Sequence, residues 1–216
     1  MDGGGKSAVT AEIVYSAFER AGSEANFSVP KESVLTWMRT SDLSVRGVLY
    51  TMLTTRDRAA CISPPLKYED YDQFVWSYLF DCIEKNPDDE WADSRYLAAN
   101  QLAAWFVGFW TDEAVPRDRL VEIKDMLARH YQHANSEVRE ALINGVLEHI
   151  FEHQGVPAFF ADWQRDETLL VAYKEAQAWS SHRKRPVQAL LTEVRRRVAA
   201  TAAALRHSRA RALRCG

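Results

Sequence analysis

Apolar residues recur every three or four positions along almost the whole chain, in segments closed by proline, glycine or asparagine. The two-residue alternation of a half-buried strand is nearly absent. This period confines the chain to helices, and short spacers make consecutive helices pack antiparallel. In the first helix Val9, Ile13, Ala17 and Ala21 recur at fours, with Gly22 at its end. Ser28-Val29-Pro30 opens a second through Met38, with Pro30 in the tolerated first turn. Asp42 caps a third, Leu43 to Leu53, and residues 54–67, carrying Pro64-Pro65, form the longest break. Two long helices, 68–85 and 91–110, flank Asn86-Pro87-Asp88-Asp89. Pro116 begins the next, which ends near His130-Tyr131. Asn135 caps another through His153, stopped by Gly155 and Pro157. A helix over 167–179 and a last one from Pro186 toward Leu213 complete the set.

With 216 residues and 47% apolar side chains the chain can bury one core without staples. Cys61, Cys82 and Cys215 are scattered and odd in number, with no CxxC spacing. That argues against a disulfide framework or a zinc knuckle and fits reduced thiols in the cytosol. Met1-Asp2-Gly3-Gly4-Gly5-Lys6 lacks the apolar core of a secretory signal. The most apolar run, Leu97 to Trp110, is broken by Asn100 and Gln101 and is shorter than the ~20 residues of a bilayer span. The expectation is a cytoplasmic protein with no membrane partner.

The net charge of −3 conceals an asymmetry. From Arg183 onward ten bases face one acid, Glu193, which leaves residues 1–182 at −12. The basic segment is spaced by Val187, Leu190, Leu191, Val194, Val198 and Leu205, a helical apolar stripe. We read residues 1–182 as an acidic helical body. Residues 183–216 are then a basic capping helix and frayed tail of the same domain.

Asp42-Leu43-Ser44-Val45-Arg46-Gly47-Val48-Leu49 is echoed 93 residues later by Asn135-Ser136-Glu137-Val138-Arg139-Glu140-Ala141-Leu142, with a poorer copy at Asp93-Ser94-Arg95-Tyr96-Leu97. The offset is about two units of a ~40–47-residue repeat. These segments resemble the second helix of HEAT repeats. The resemblance implies an all-α fold of antiparallel helix pairs stacked as a short HEAT-like α-solenoid. It also implies structural roles for Asp42 with Arg46 and Asn135 with Arg139, a cap residue and an arginine that pair between neighbouring units.

Several strings invite a chemical reading. His149-Ile150-Phe151-Glu152-His153 resembles the inverted-zincin motif, with two histidines on one helical face and a glutamate beside them. The downstream third ligand within an α/β domain is missing, so both histidines read as structural. Asp89…Asp93 and Asp162…Asp166 have the spacing of magnesium-holding aspartates. They fall at helix starts, where aspartate caps and complements the helix dipole. Phosphate-cradling glycine loops, a GxSxG elbow, the di-iron Glu-x-x-His pair and a His-Asp dipeptide are all absent. The reading is therefore of no catalytic, cofactor or metal residues.

What remains is a surface. Between Glu69 and Asp93 nine acids face one base, Lys85, with aromatic residues interleaved. Glu69, Asp70, Asp72, Asp88, Asp89, Glu90 and Asp93, with Trp91, form a candidate docking surface for a basic protein partner, since charge steers encounter and rings anchor it. The region from Tyr96 to Trp179 looks like small all-helical bacterial immunity proteins. Leu120 to Phe151 carries that impression, above all Ser136-Glu137-Val138-Arg139 and Asn144-Gly145-Val146-Leu147-Glu148. The resemblance implies a non-enzymatic module that neutralises a cognate toxin by occlusion, with no cofactor. Two alternatives stand beside it. One is a HEAT-like DNA glycosylase acting on alkylated DNA, which a body at −12 disfavours because phosphates need cations. The other is a scaffold subunit of a larger assembly.

Overall fold

The computed structural model describes residues 9–54 and 58–182. The basic segment 183–216, and with it the expected last helix and tail, lies outside the described residues. Those residues are mostly helical and group into two compact units. The first holds residues 9–78 and 88–92 and the second 79–87 and 93–182, so the division falls inside one helix.

The first unit contains α1 (Ala11–Ser23), α2 (Lys31–Met38), α3 (Leu43–Thr54) and the start of α4 (Tyr68–Lys85). Two-residue strands, β1 (Val29–Pro30) and β2 (Ile62–Ser63), pair in parallel with Val29 opposite Ile62. Pro30 thus ends β1 and caps α2, whose first residue is Lys31. The long break also holds a 3₁₀ turn, Ala59–Cys61. It is clasped to α1 by Arg58, which donates to the carbonyl of Phe18 at 3.0 Å and pairs with Glu19 at 2.5 Å.

The inward face of α1 is not the row that recurs at fours. Ala11, Val14 and Phe18 are buried, whereas Val9 and Ile13 are 38% and 45% exposed. The bulk of Phe18 decides the orientation, because a fully buried ring removes more apolar area from water than the alanines at 17 and 21 could. α1 packs on α3, which is buried almost all round, from Val45 to Tyr50 and at Met52 and Leu53.

In the second unit α5 (Arg95–Thr111) is the central element, with Ala98, Ala99, Leu102 to Val107 and Phe109 buried. Around it lie α6 (Arg117–His133), α7 (Ser136–Leu142), α8 (Glu148–Phe151), α9 (Val156–Phe159) and α10 (Glu167–His182). The single helix expected over 135–153 is instead α7 and α8 joined by a π turn, Ile143–Leu147. Gly145 sits in that turn, and a Cβ there would lie 2.5 Å from the Cβ of Ala99. Small residues on both sides let the two backbones approach. Phe106, Phe151, Phe160, Trp163 and Tyr173 close the far side as a chain of tilted and edge-on ring contacts.

Candidate functional site

Two of the four expected structural residues, Asp42 and Asn135, are engaged by backbone N–H groups of their own helices. Asp42 Oδ1 accepts the N–H groups of Ser44 (2.9 Å) and Val45 (3.2 Å), and Asn135 Oδ1 accepts that of Val138 (2.9 Å). Both cap their own helices, as acceptors at this position do. The two arginines then diverge. Arg46 is 4% exposed, donates to the Ser77 hydroxyl at 3.0 Å and lies over the rings of Phe74 and Tyr78. Arg139 donates to the carbonyls of Tyr131 and Gln132, 3.0 Å each, and so satisfies acceptors left open at the end of α6.

The chemistry-bearing strings are occupied by similar work. Asp162 receives Lys124 Nζ at 2.8 and 2.9 Å, and Asp166 caps α10 through Thr168 and Leu169. His149 is buried in α8, which packs on α5 and α10. Among the described residues no group of three or more His, Cys, Asp or Glu is placed to hold a metal ion. No helix of those residues is long and apolar enough to cross a membrane.

The expected docking residues divide between the units. Glu69, Asp70 and Asp72 lie at the start of α4 in the first. There Asp70 stands 3.9 Å from Lys31 Nζ, and Asp72 accepts the Trp76 indole N–H at 2.8 Å. Asp93 belongs to the second unit, where Asp81 pairs with Lys85 and Glu84 with His130. Only 88–91 come together as a group. Asp88, Asp89 and Glu90 are exposed, and Asp89 Oδ1 accepts the Trp91 N–H at 2.7 Å, which turns the chain. That turn is why the helix expected from Trp91 begins at Arg95.

Two residues that periodicity passed over complete this surface. Tyr15, 39% exposed on α1, has its ring centroid 5.7 Å from that of Trp91 at 49°. Glu12, one turn earlier, is exposed and lies within the field of Asp89. A hydrogen bond from the Thr10 side chain, and then one from its own backbone, hold the Glu12 carboxyl below the usual range, while the negative charge of Asp89 works against them. The available signal was Tyr15 itself, an aromatic residue at the edge of the stripe formed by Ala11, Val14 and Phe18. Among the described residues no ion pair neutralises Glu12, Asp88, Asp89 or Glu90.

The second unit carries a cleft of about 430 Å³ lined by Glu84, Arg129, His130, His133, Ala134, Asn135 and Val138. His130 stacks parallel on Phe80 at 3.9 Å, and its Nδ1 lies 2.6 Å from Glu84. Arg95, whose role the sequence did not disclose, ties α4 to α7 here. It donates to the carbonyls of Ile83 and Glu84 and pairs with Glu137 at 2.7 Å.

These features define a mostly helical protein whose first unit carries an acidic surface beside an aromatic pair. No protein-family model, no curated protein and no solved structure matches the chain.

Proposed function

We propose that the chain is a protein-binding module whose first unit receives a basic partner. In the sense its resemblance to immunity proteins implies, that partner is a toxin domain neutralised by occlusion in the bacterial cytoplasm. Helix pairs stacked in HEAT-like fashion would serve as the rigid support.

One observation carries the reading: Glu12, Asp88, Asp89 and Glu90 lie exposed near the Tyr15–Trp91 ring pair, and among the described residues no ion pair balances them. Folding gains nothing from uncompensated like charges, while a basic partner gains steering and an aromatic anchor. The test is co-expression with the product of the neighbouring reading frame, scored by growth rescue and pull-down. Asp88→Lys with Glu90→Lys should abolish rescue while leaving the helical circular-dichroism signal intact. Full rescue by that variant would remove this surface from the mechanism.

A further inference from the structure

Acidity attracts any basic partner, but the rings beside it select among cations. Tyr15 stands on α1, a helix anchored in the core by Val14 and Phe18. Trp91 is fixed through its backbone, by the N–H bond to Asp89 and by close packing of its carbonyl on Gly47 of α3. Two aromatic faces are thereby held in place before any partner arrives, which lowers the ordering cost of binding. Glu12 and Asp89 stand beside the pair, so a cation against the rings also meets carboxylates.

We infer that the Tyr15–Trp91 pair is the seat of an arginine side chain presented by the partner, with Glu12 and Asp89 accepting its N–H groups. The inference rests on the basic-partner reading and names the group that partner must display. Guanidinium is planar and weakly hydrated, so its face stacks on a ring while its edge donates to carboxylate. Lysine offers a compact, strongly hydrated charge that gains less from the same rings. The unit already uses this pairing internally, with the Arg20 guanidinium 4.2 Å over Phe27.

Two labelled peptides of equal charge, (Arg-Ala)₆ and (Lys-Ala)₆, titrated into the full chain at low salt test the assignment by fluorescence anisotropy. The arginine peptide should bind about fivefold tighter, the weight of one exposed cation–π contact. Tyr15→Leu keeps apolar bulk on α1 and should lower the ratio without moving the melting temperature. Glu12→Gln should weaken the arginine peptide more than the lysine peptide. Equal affinities for the unmodified protein, both reduced by Asp88→Lys with Glu90→Lys, would overturn the arginine seat and leave the basic-partner reading standing. Failure of both peptides to bind would overturn the two together.

Discussion

The carbonyl group of Trp91 packs directly on the α-carbon of Gly47. A Cβ at Gly47 would sit 2.8 Å from the Trp91 carbonyl carbon and 2.9 Å from the Ala92 Cα, closer still to the carbonyl oxygen. Glycine inside a helix costs about 1 kcal/mol relative to alanine, so α3 by itself would gain from the change. The obstacle is backbone, which cannot swing aside as a flexible side chain would. Gly47→Ala should therefore destabilise the protein by about 1–3 kcal/mol, as overpacking does. Urea denaturation measures it, and an increase in stability would show that residues 88–92 are not pressed on α3.

Lys124 and Asp162 offer a second test. Lys124 Nζ also lies 3.3 Å from the carbonyl of Phe159 and 4.9 Å over its ring, so α6 is tied to the segment before α10. The ammonium is largely buried while the carboxylate is half exposed, which weakens the pair through solvent screening. Asp162→Asn should cost about 1 kcal/mol or slightly more. Magnesium should leave the melting temperature of the unmodified protein unchanged, since Asp162 is engaged by a cation already. A magnesium-dependent rise lost in the variant would restore the metal reading of the Asp162…Asp166 string.

The helices were legible because their signals are local. Caps such as Asp42 and Asn135 and stops such as Asn86-Pro87 act within a few residues of themselves. Orientation was less legible, since the face α1 buries depends on what Phe18 meets in the core, and four-residue spacing also fits the exposed side. Arg95 was opaque for a related reason. Its acceptors are the carbonyls of Ile83 and Glu84, twelve and eleven residues back, and no pattern in the chain marks a backbone acceptor. Of the docking surface, the acidic half was visible as composition. The pairing of Tyr15 with Trp91 was not, because it arises only when residues 88–92 fold onto the first unit.

Tyr131 gives a pH-dependent prediction. Burial raises its phenol pKa above the ordinary 10.0, the charge of Glu175 adds to the rise, and Arg139 opposes it. The unfolded chain therefore loses this proton first as pH climbs. Its contribution to stability is complete below about pH 10 and is lost as pH rises from there through the higher folded value. Tyr131→Phe should flatten the decline between pH 9 and 11, read from urea midpoints. Parallel curves for the two proteins would mean that the phenol ionises as readily folded as unfolded.

Arg139 is expected to support the fold through the carbonyls of Tyr131 and Gln132. Removing it in Arg139→Met leaves two acceptors at the end of α6 without their charged donor, a loss of about 1–3 kcal/mol. Arg139→Lys should recover little, because one ammonium does not reproduce a fork that reaches both carbonyls. Unchanged stability together with lost partner binding would place Arg139 in the interface instead.

Asp88, Asp89 and Glu90 are adjacent in sequence and carry the same charge, yet they should respond differently to reversal. Asp89 accepts the Trp91 N–H, so Asp89→Lys removes a turn-forming bond as well as a charge, and both stability and binding should fall. Asp88 and Glu90 are exposed and outside any ion pair among the described residues, so Asp88→Lys with Glu90→Lys should leave the melting temperature nearly unchanged. Its effect belongs to encounter. Association with the basic partner should slow as salt shortens the screening length from ~10 Å at 0.1 M to ~3 Å at 1 M, and the double variant should flatten that dependence. Dissociation should change far less, since rim charges act mainly on the rate of approach. Stopped-flow or surface-based kinetics across a salt series separates the two rates. An association rate indifferent to salt in the unmodified protein would mean that the acidic surface does not guide the partner, whatever its affinity.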